Sequence, residues 1–443
     1  MYNSKNTQYL FKQSTGPIWN FYSDERHGLC YSILSKRNTW SEPVSINKDY
    51  LPPFYIDMDF EDNFHILFQD KQGSIFYTFL DKSNNINTLQ VLKSNIPTSY
   101  NKYLKLVVSR NVINIFFIID HNNSHILAHQ TVIGNTVNPP KVIDYVYKND
   151  HPYTLIKDKS GNIYVFYHVS DGKYLQIGFK KYNHNQKIWG EFTPVTRFNG
   201  DCNFPKTAID NKDIISILYQ RKTQKQYELI YQQKVPDRNM WSAETVIQSS
   251  SYSFNNSSIV IINQSIIVYW VRDDNIYYSM SSDMGKTWSK SSKLIFPASK
   301  QLLCFSYKTN NPYESENIYT NEIPGSYLNG YKLAFYQNNY QNNSISADEL
   351  RSMIIDGLHL LKGNIEDLHE ADNSIKESIS KIDNIYKNIH NELIKQSVKI
   401  TYLENEIGKL RNSIKHIEDI STPEYHEEKQ QEEDINSIGI NDA

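Results

Sequence analysis

The chain has 443 residues and a formal net charge of −3 at pH 7, enough length for one large domain with an extension. This charge balance leaves no basic surface of the kind that binds nucleic acid. The three cysteines lie far apart and match no metal or redox spacing, and Cys30 falls in a strand-like run where a buried thiol is expected. We expect no metal site and no cofactor.

The N-terminal residues contain no apolar segment typical of a signal peptide. No apolar run approaches the roughly 20 residues that a membrane-spanning helix needs. We therefore expect a protein without a membrane span, located in the cytoplasm or carried on a spore or similar particle.

A pattern of four short β-like runs separated by turns recurs about every 50 residues from Tyr9 to about Pro297. In the fourth copy, Ile163, Val165 and Tyr167 alternate onto one face, as in a β-strand. The turns are rich in Asp, Asn, Ser and Gly. Six copies of a four-stranded unit at this period predict an all-β propeller with six blades.

A tryptophan is predicted to open the fourth run in most copies, at Trp40, Trp189, Trp241 and Trp288. Copies two and three keep the pattern without the tryptophan. After Pro297 the pattern weakens, but residues 302–307 and 331–336 still look like strands. We expect them to close the ring or to form a degraded seventh blade.

The sixth copy contains a turn motif with fixed positions, S-x-D-x-G-x-T-W, running from Ser281 to Trp288. Asp283 can accept backbone N–H bonds of a tight turn, Gly285 can adopt a positive φ, and the tryptophan can pack between sheets. In this Asp box and in its repeat, the chain resembles the sialidase-like (BNR-repeat) β-propeller superfamily. The resemblance implies that Asp283 is structural and lies away from any active site.

Sialidases, which the propeller resembles, hold the substrate carboxylate with three arginines, the first of them in an Arg-Ile-Pro motif. This sequence has no Arg-Ile-Pro, and Arg37 and Arg238 fall in predicted outer turns where they cannot converge. We therefore expect no sialidase activity and no catalytic residues. Another glycoside hydrolase would need two facing carboxylates. The candidates for that alternative, which would otherwise cap turns or bond inner strands, are Asp57, Asp59, Asp201 and Asp210.

The connections from one blade's outer strand to the next blade's inner strand are rich in aromatic residues beside Asn, Asp and His. In propellers these connections usually lie on the ligand-binding face. Aromatic rings stack on sugar rings, while amides and carboxylates bond hydroxyl groups. The predicted ligand-binding residues are Tyr50, Tyr100, Tyr147, His151, Tyr153, Arg197, Asp201 and Tyr252. Packing between blades is the alternative role for the same residues.

A heptad pattern runs from Ile354 to Ile417, with aliphatic residues at nearly every a and d position. Ser346 and Glu349 have the spacing of a capping box at its start. Such a stripe predicts a coiled coil that joins copies of the chain. The Ile-rich middle favours a trimer and the Ile–Leu end a dimer, while folding back on the propeller is the alternative. Asp372 and Gln396 interrupt the stripe and are expected to fix the register.

We expect four segments: a sialidase-like propeller over 1–340, a linker and helix cap over 341–349, a coiled-coil stalk over 350–420, and an acidic disordered tail over 421–443. The predicted function is non-catalytic, multivalent binding of a glycan or another surface polymer. The alternatives are a structural coat or fibre component that binds protein partners, and a glycoside hydrolase.

Overall fold

The computed structural model describes residues 8–94, 97, 100–121, 124–236, 238, 240–296, 302–315, 317–327, 330–336 and 347–420, and within the last range the side chains of 369, 372–415 and 417. The chain divides into two compact units, Met1–Asn338 and Asn339–Ala443. The first unit is built from β-sheets, and the described part of the second is one long helix.

Six antiparallel sheets follow one another along the chain, each beginning with its inner strand. Blade 1 contains β1 (Gln8–Lys12), β2 (Ile18–Asp24), β3 (Gly28–Leu34) and β4 (Val44–Asn47). Blade 2 contains β5 (Tyr50–Met58), β6 (Phe64–Asp70), β7 (Ile75–Leu80) and β8 (Ile86–Leu92). Blade 3 contains β9 (Lys105–Ser109), β10 (Val112–His121) and β11 (Ser124–Ile133), with an outer position shared by β12 (Thr136–Val137) and β13 (Lys141–Val146).

The next three sheets repeat this order. Blade 4 contains β14 (Tyr153–Lys157), β15 (Ile163–Ser170) and β16 (Leu175–Asn183), then β17 (Ile188–Trp189) and β18 (Thr193–Pro194). Blade 5 contains β19 (Cys202–Ile209), β20 (Ile215–Lys222), β21 (Tyr227–Lys234) and β22 (Thr245–Ser250). Blade 6 contains β23 (Ser257–Ile262), β24 (Ser265–Arg272), β25 (Asn275–Ser281) and β26 (Ser292–Leu294). The prediction of six four-stranded propeller blades is confirmed.

The segment after blade 6 closes the ring. It comprises β27 (Leu303–Thr309), the short α1 (Pro312–Ser315), β28 (Ile318–Thr320), β29 (Ile323–Ser326) and β30 (Lys332–Leu333). Strand β27 pairs in parallel with β1, and β29 and β30 extend the same sheet beyond it. Strand β28 pairs with β23, so this segment bonds to the inner strands of both the first and the last blade. We call residues 302–336 the closing segment.

Apolar side chains fill the spaces between neighbouring sheets, because each sheet is apolar on both faces and cannot bury them alone. Phe21 and Phe64 meet between blades 1 and 2, with ring centroids 4.8 Å apart. The last of these layers joins blade 6 to blade 1 through the closing segment, where Leu10, Tyr269 and Phe305 share one core. All three cysteines are buried free thiols, as expected for Cys30.

The prediction that a tryptophan opens the outer strand agrees with the structure in only some blades: Trp189 lies in β17, which pairs with β16, and Trp40 forms an isolated β-bridge with Leu34. Trp40, Trp189, Trp241 and Trp288 each lie four residues before an outer strand, which begins at Val44, Thr193, Thr245 or Ser292. Their indole rings pack against the preceding blade or, for Trp40, against the closing segment. Trp288, for example, packs edge-on to Tyr231 of the neighbouring blade, with centroids 4.8 Å apart. Trp241 and Trp288 lie outside any strand, so for these two the local pattern placed the start of the outer strand four residues too early.

The motif from Ser281 to Trp288 forms a tight turn. One oxygen of Asp283 accepts the backbone N–H groups of Lys286 and Thr287, and the other accepts the Thr287 hydroxyl at 2.6 Å. These bonds, with the Thr287 hydroxyl first, lower the pKa of Asp283. Gly285 has a φ of +84°, a backbone conformation that residues other than glycine rarely adopt. The carboxylate is fully used in holding the turn.

The second unit contains α2, a helix of 74 residues spanning Ala347–Ile420. The aliphatic heptad positions whose side chains are described are at least half exposed in the single chain, as at Ile382, Leu393 and Leu403. None of the described helices is long and apolar enough to cross a membrane. The predicted linker, the cap residue Ser346 and the predicted acidic tail lie outside the described residues.

Candidate functional site

A cavity of about 700 Å³ lies where the inner strands of all six blades meet β27. One lining residue from each of these seven strands is Tyr9, Tyr50, Lys105, Tyr153, Lys206, Ser258 and Ser306. The connections that precede β9 and β14 also contribute lining residues, including Tyr103 and His151. We call this cavity the central pocket. Its position on the ring axis lets residues far apart in sequence face one ligand.

Two inner strands carry bulges that bring phenylalanines to the central pocket. The pairing register of β5 shifts between Leu51 and Tyr55, and that of β19 shifts between Asn203 and Lys206. Each bulge contains proline, which has no N–H to donate to a sheet and is found at such irregularities. A bulge turns side chains away from the regular alternation, and Phe54 and Phe204 line the pocket as a result.

Tyrosines form much of the remaining wall. The hydroxyl of Tyr9 donates to the carbonyl of Phe54 at 3.1 Å, and the hydroxyl of Tyr153 donates to the carbonyl of Tyr103. Burial raises the pKa of Tyr55 and of Tyr153, so both phenols remain neutral at physiological pH. The wall therefore offers aromatic surface together with fixed polar atoms.

An ion pair lies in the wall between blade 5 and the closing segment. The Lys206 ammonium lies 2.7 and 2.8 Å from the two carboxylate oxygens of Glu322. Burial opposes the charge of Glu322, but Lys206 outweighs it and holds the pKa of that carboxyl below its usual value. The neighbouring Asn321 donates its amide to the carbonyl of Thr207 at 2.9 Å. The closing segment is thus part of the pocket wall.

Lys105 begins β9 and is a second ammonium group in the wall. Its Nζ lies 5.7 Å from the centroid of the Tyr153 ring. Burial and the nearby charge of Lys206 lower the pKa of Lys105 to about 8, while Glu322 acts in the opposite direction. Among the described residues, Lys105 has no ion-pair partner within 4 Å.

Two further polar atoms of the wall lack a hydrogen-bond partner within the part of the chain that the structure describes. They are the hydroxyl of Thr207, a residue that is 4% exposed, and the side-chain carbonyl of Gln8. Burying a polar atom without a partner costs free energy. A ligand with hydroxyl groups could satisfy both atoms.

The eight predicted site residues are divided among different places. Tyr50, His151 and Tyr153 line the central pocket. Tyr147 and Arg197 are exposed and lie outside this pocket, and Tyr252 lies in another cleft. The remaining two form hydrogen bonds within the propeller: the Tyr100 hydroxyl accepts the N–H of Asp120, and the Asp201 carboxylate accepts the N–H of Leu175. The pocket residues that sequence reasoning missed are Phe54, Lys105, Phe204, Lys206, Thr207 and Glu322. The prolines beside Phe54 and Phe204, within strand-like runs, were the only sequence signal that these strands bulge and that the two phenylalanines line the pocket.

That other cleft lies between the 248–256 connection and the turn joining β24 to β25, with a volume of about 810 Å³. The guanidinium of Arg272 stacks 4.0 Å from the centroid of the Tyr252 ring. Arg272 and Tyr252 are both largely exposed, at 48% for the Arg272 side chain and 59% for Tyr252. The pair forms a surface platform rather than an enclosed site.

The candidate glycosidase carboxylates have other partners. Asp57 is paired with Lys308, and Asp59 contacts His65 at 3.1 Å. Asp210 accepts two backbone N–H bonds of its own turn, from Lys212 and Ile214. None of these carboxylates lines the central pocket, whose described carboxylates are Asp150 and Glu322.

No arginine is among the residues that line the central pocket. In the described residues, no three His, Cys, Asp or Glu side chains come together in a group that could hold a metal ion. The charged groups available to a ligand there are therefore ammonium and carboxylate groups, beside the imidazole of His151.

Comparison with solved structures finds propeller proteins at low identity. An ulvan lyase from a new family of polysaccharide lyases is 13% identical, with 72% of this chain and 89% of that chain covered and a TM-score of 0.47. A six-bladed fucose-recognising lectin of Aleuria aurantia is 11% identical, with 67% and 99% covered and a TM-score of 0.40. AofleA from Arthrobotrys oligospora is 11% identical, with 66% and 86% covered and a TM-score of 0.40. No protein-family model and no curated protein matches the sequence.

Proposed function

We propose that this protein binds a saccharide in the central pocket without cleaving it, and that α2 joins several copies. One observation carries the first part: aromatic rings, ammonium groups and unpaired hydrogen-bonding atoms surround a cavity of about 700 Å³. That volume is typical of pockets for small ligands. Aromatic faces bind the apolar face of a sugar ring, and polar atoms bond its hydroxyl groups.

The carboxylates of the pocket favour binding over hydrolysis. A glycoside hydrolase needs one carboxyl as a proton donor and a second as base or nucleophile. Glu322 is held as a carboxylate by two short contacts with Lys206, which leaves it a poor proton donor. We also propose that the propeller belongs to the sialidase-like superfamily, which the turn formed by Ser281 to Trp288 supports.

The helix supports the proposal of self-association through its exposed stripe. Ile382, Ile389 and Leu410 are each more than half exposed in the single chain, an arrangement that is unfavourable in water. Burying this stripe against copies of the same helix removes the apolar surface from water. Weak single sites would then gain from multivalent attachment to a polymer.

The charges beside the stripe favour a parallel, in-register arrangement. In that arrangement a g residue meets the e residue of the next heptad on the neighbouring helix. Lys399 then meets Glu404, and Glu406 meets Arg411, so both charged pairs are attractive. Lys399, Glu404 and Arg411 form no ion pair within their own helix among the described residues. A parallel coiled coil would bring the N-terminal ends of the helices together.

A structural assembly role is the second candidate, and one outer strand favours it. Val142 and Tyr145 of β13 are 59% and 58% exposed. Exposed apolar residues on an edge strand are suited to pairing with another protein.

A screen of the full-length protein against an array of immobilised glycans tests the proposal. We expect selective binding to a group of related glycans, with no new reducing ends released on long incubation. Binding to no glycan would reject the saccharide proposal and direct attention to protein partners of β13.

A further inference from the structure

The positive charge of the central pocket is only partly neutralised by the protein. Lys206 takes both oxygens of Glu322, and Lys105 contributes a further ammonium group in the same wall. Asp150, the other carboxylate of the pocket, has an interaction of its own within the protein, as does His151. Lys206 is thus paired with Glu322, whereas Lys105 forms no ion pair within 4 Å among the described residues, so its charge is available to a ligand.

The surroundings of Lys105 are suited to an anion beside a sugar ring. Its Nζ lies over the Tyr153 ring, and the phenols of Tyr153 and Tyr55 stay protonated, so they add no competing negative charge. A partly buried ammonium group without a counter-ion is costly, and pairing with an anion offsets this cost. Lysine binds such groups as a point charge, without the forked geometry that arginine requires.

We propose that Lys105 anchors an anionic substituent, a carboxylate or a sulfate, of the saccharide that the central pocket binds. The inference rests on the proposed function and adds the ligand class: an acidic saccharide rather than a neutral one. Lys105 then determines specificity, while Phe54, Phe204 and Tyr153 supply surface that a neutral sugar could also use.

The test is a calorimetric titration of the full-length protein with three oligosaccharides of equal length. One carries carboxylates (an oligogalacturonate), one carries sulfates and one is neutral. We expect at least tenfold tighter binding of one or both acidic probes than of the neutral probe. Comparing the two acidic probes shows whether the pocket prefers a carboxylate or a sulfate. Raising the salt concentration should weaken acidic binding and leave neutral binding unchanged.

Two variants locate the effect. Lys105→Met keeps the apolar stem and removes the charge, and it should reduce the affinity for the acidic probe to that for the neutral one. Lys71→Met, at an exposed turn residue between β6 and β7, is the matched control and should bind as the wild type does. Unfolding temperatures check that both variants fold. If Lys105→Met does not fold, the salt dependence of binding by the wild type still tests the proposal.

Equal binding of acidic and neutral probes by the wild type would overturn this inference and leave the saccharide proposal standing. Undiminished acidic binding by folded Lys105→Met would also overturn it. A wild-type protein that binds no saccharide, on the array or in titration, would reject the proposed function as well.

Discussion

The ammonium of Lys206 on β19 lies within 2.8 Å of both carboxylate oxygens of Glu322 in the closing segment. This pair connects blade 5 to the segment that completes the ring, across 116 residues of sequence. Both side chains are largely buried, at 16% and 22% exposure. The pair therefore contributes to the wall of the pocket and to closure of the propeller.

Glu322→Gln should destabilise the protein by about 1–3 kcal/mol, because it leaves the largely buried Lys206 ammonium without its counter-ion. Denaturant titration measures the change as a difference in the free energy of unfolding of the propeller. The double variant Lys206→Met/Glu322→Leu removes both charges and should recover part of the loss. A single variant as stable as the wild type would show that the pair does not support closure.

The pH dependence of this contribution follows from the lowered pKa of Glu322. A depressed carboxyl pKa stabilises the folded state above the unfolded value of about 4.5, and the effect is lost as the pH falls through the folded value. The stability difference between the wild type and Glu322→Gln should therefore be constant at neutral pH and shrink in acid. Denaturant unfolding of both proteins at several pH values between 3 and 7 measures this difference. A stability difference that widens in acid would contradict the prediction.

Gly285→Ala should destabilise the Asp-box turn by about 2 kcal/mol. The residue has a φ of +84°, and a Cβ there would lie 2.9 Å from the ring of the buried Tyr231. Gly172→Ala is the control, because Gly172 has a similar φ of +96° but nothing within 4 Å of the added carbon. Equal effects of the two substitutions in thermal unfolding would mean that contact with Tyr231 is unimportant.

Binding of an acidic saccharide should weaken as the pH rises through about 8. Burial and Lys206 lower the pKa of Lys105 to about 8, so the free pocket loses this charge in mildly alkaline solution. An anion binds the protonated form and raises the pKa, so affinity is full below pH 8 and falls above it. Lys206 and Glu322 act on Lys105 directly. The other ionisable groups that line the same pocket are Asp150, His151, Tyr9, Tyr50, Tyr55, Tyr103 and Tyr153.

Titrations at pH 6.5, 7.5, 8.5 and 9.5 would measure this dependence, with a neutral saccharide as the control. The neutral ligand should show no matching loss. A flat profile for an acidic ligand would contradict the role given to Lys105.

Charge exchange along α2 tests the parallel coiled coil. Lys399→Glu with Glu406→Lys makes both g–e pairs repulsive and should weaken self-association. Adding Glu404→Lys and Arg411→Glu reverses all four charges, which should restore association. Sedimentation and helix melting of the full-length chain measure the effect. Self-association that is insensitive to both sets would contradict the parallel register.

The architecture was predictable from sequence because it rests on local patterns that repeat. Alternating residues such as Ile163 and Val165 specify strands, and the Asp box specifies a turn, without any information on distant contacts. The outer strands were placed four residues too early at Trp241 and Trp288. Those tryptophans are partly buried by packing against the preceding blade, which the pattern along one strand does not encode.

The central pocket was less predictable because it depends on convergence in space. Tyr50, His151 and Tyr153 line the pocket and were candidates because they lie at or just before the start of an inner strand. Phe204 was missed because a bulge at Pro205 turns its side chain into the pocket. Glu322 was missed because it lies in the closing segment, where the repeat has decayed and only the closed ring brings it beside Lys206.

The most direct test of saccharide binding in the central pocket is a calorimetric affinity measurement with the best glycan from the array. It compares the wild type, the pocket variant His151→Ala/Phe204→Ala and the variant Tyr252→Ala in the other cleft. The account predicts at least tenfold weaker binding for the pocket variant and unchanged binding for Tyr252→Ala, with both variants folded. Unchanged binding by the pocket variant, or loss of binding in Tyr252→Ala alone, would contradict it.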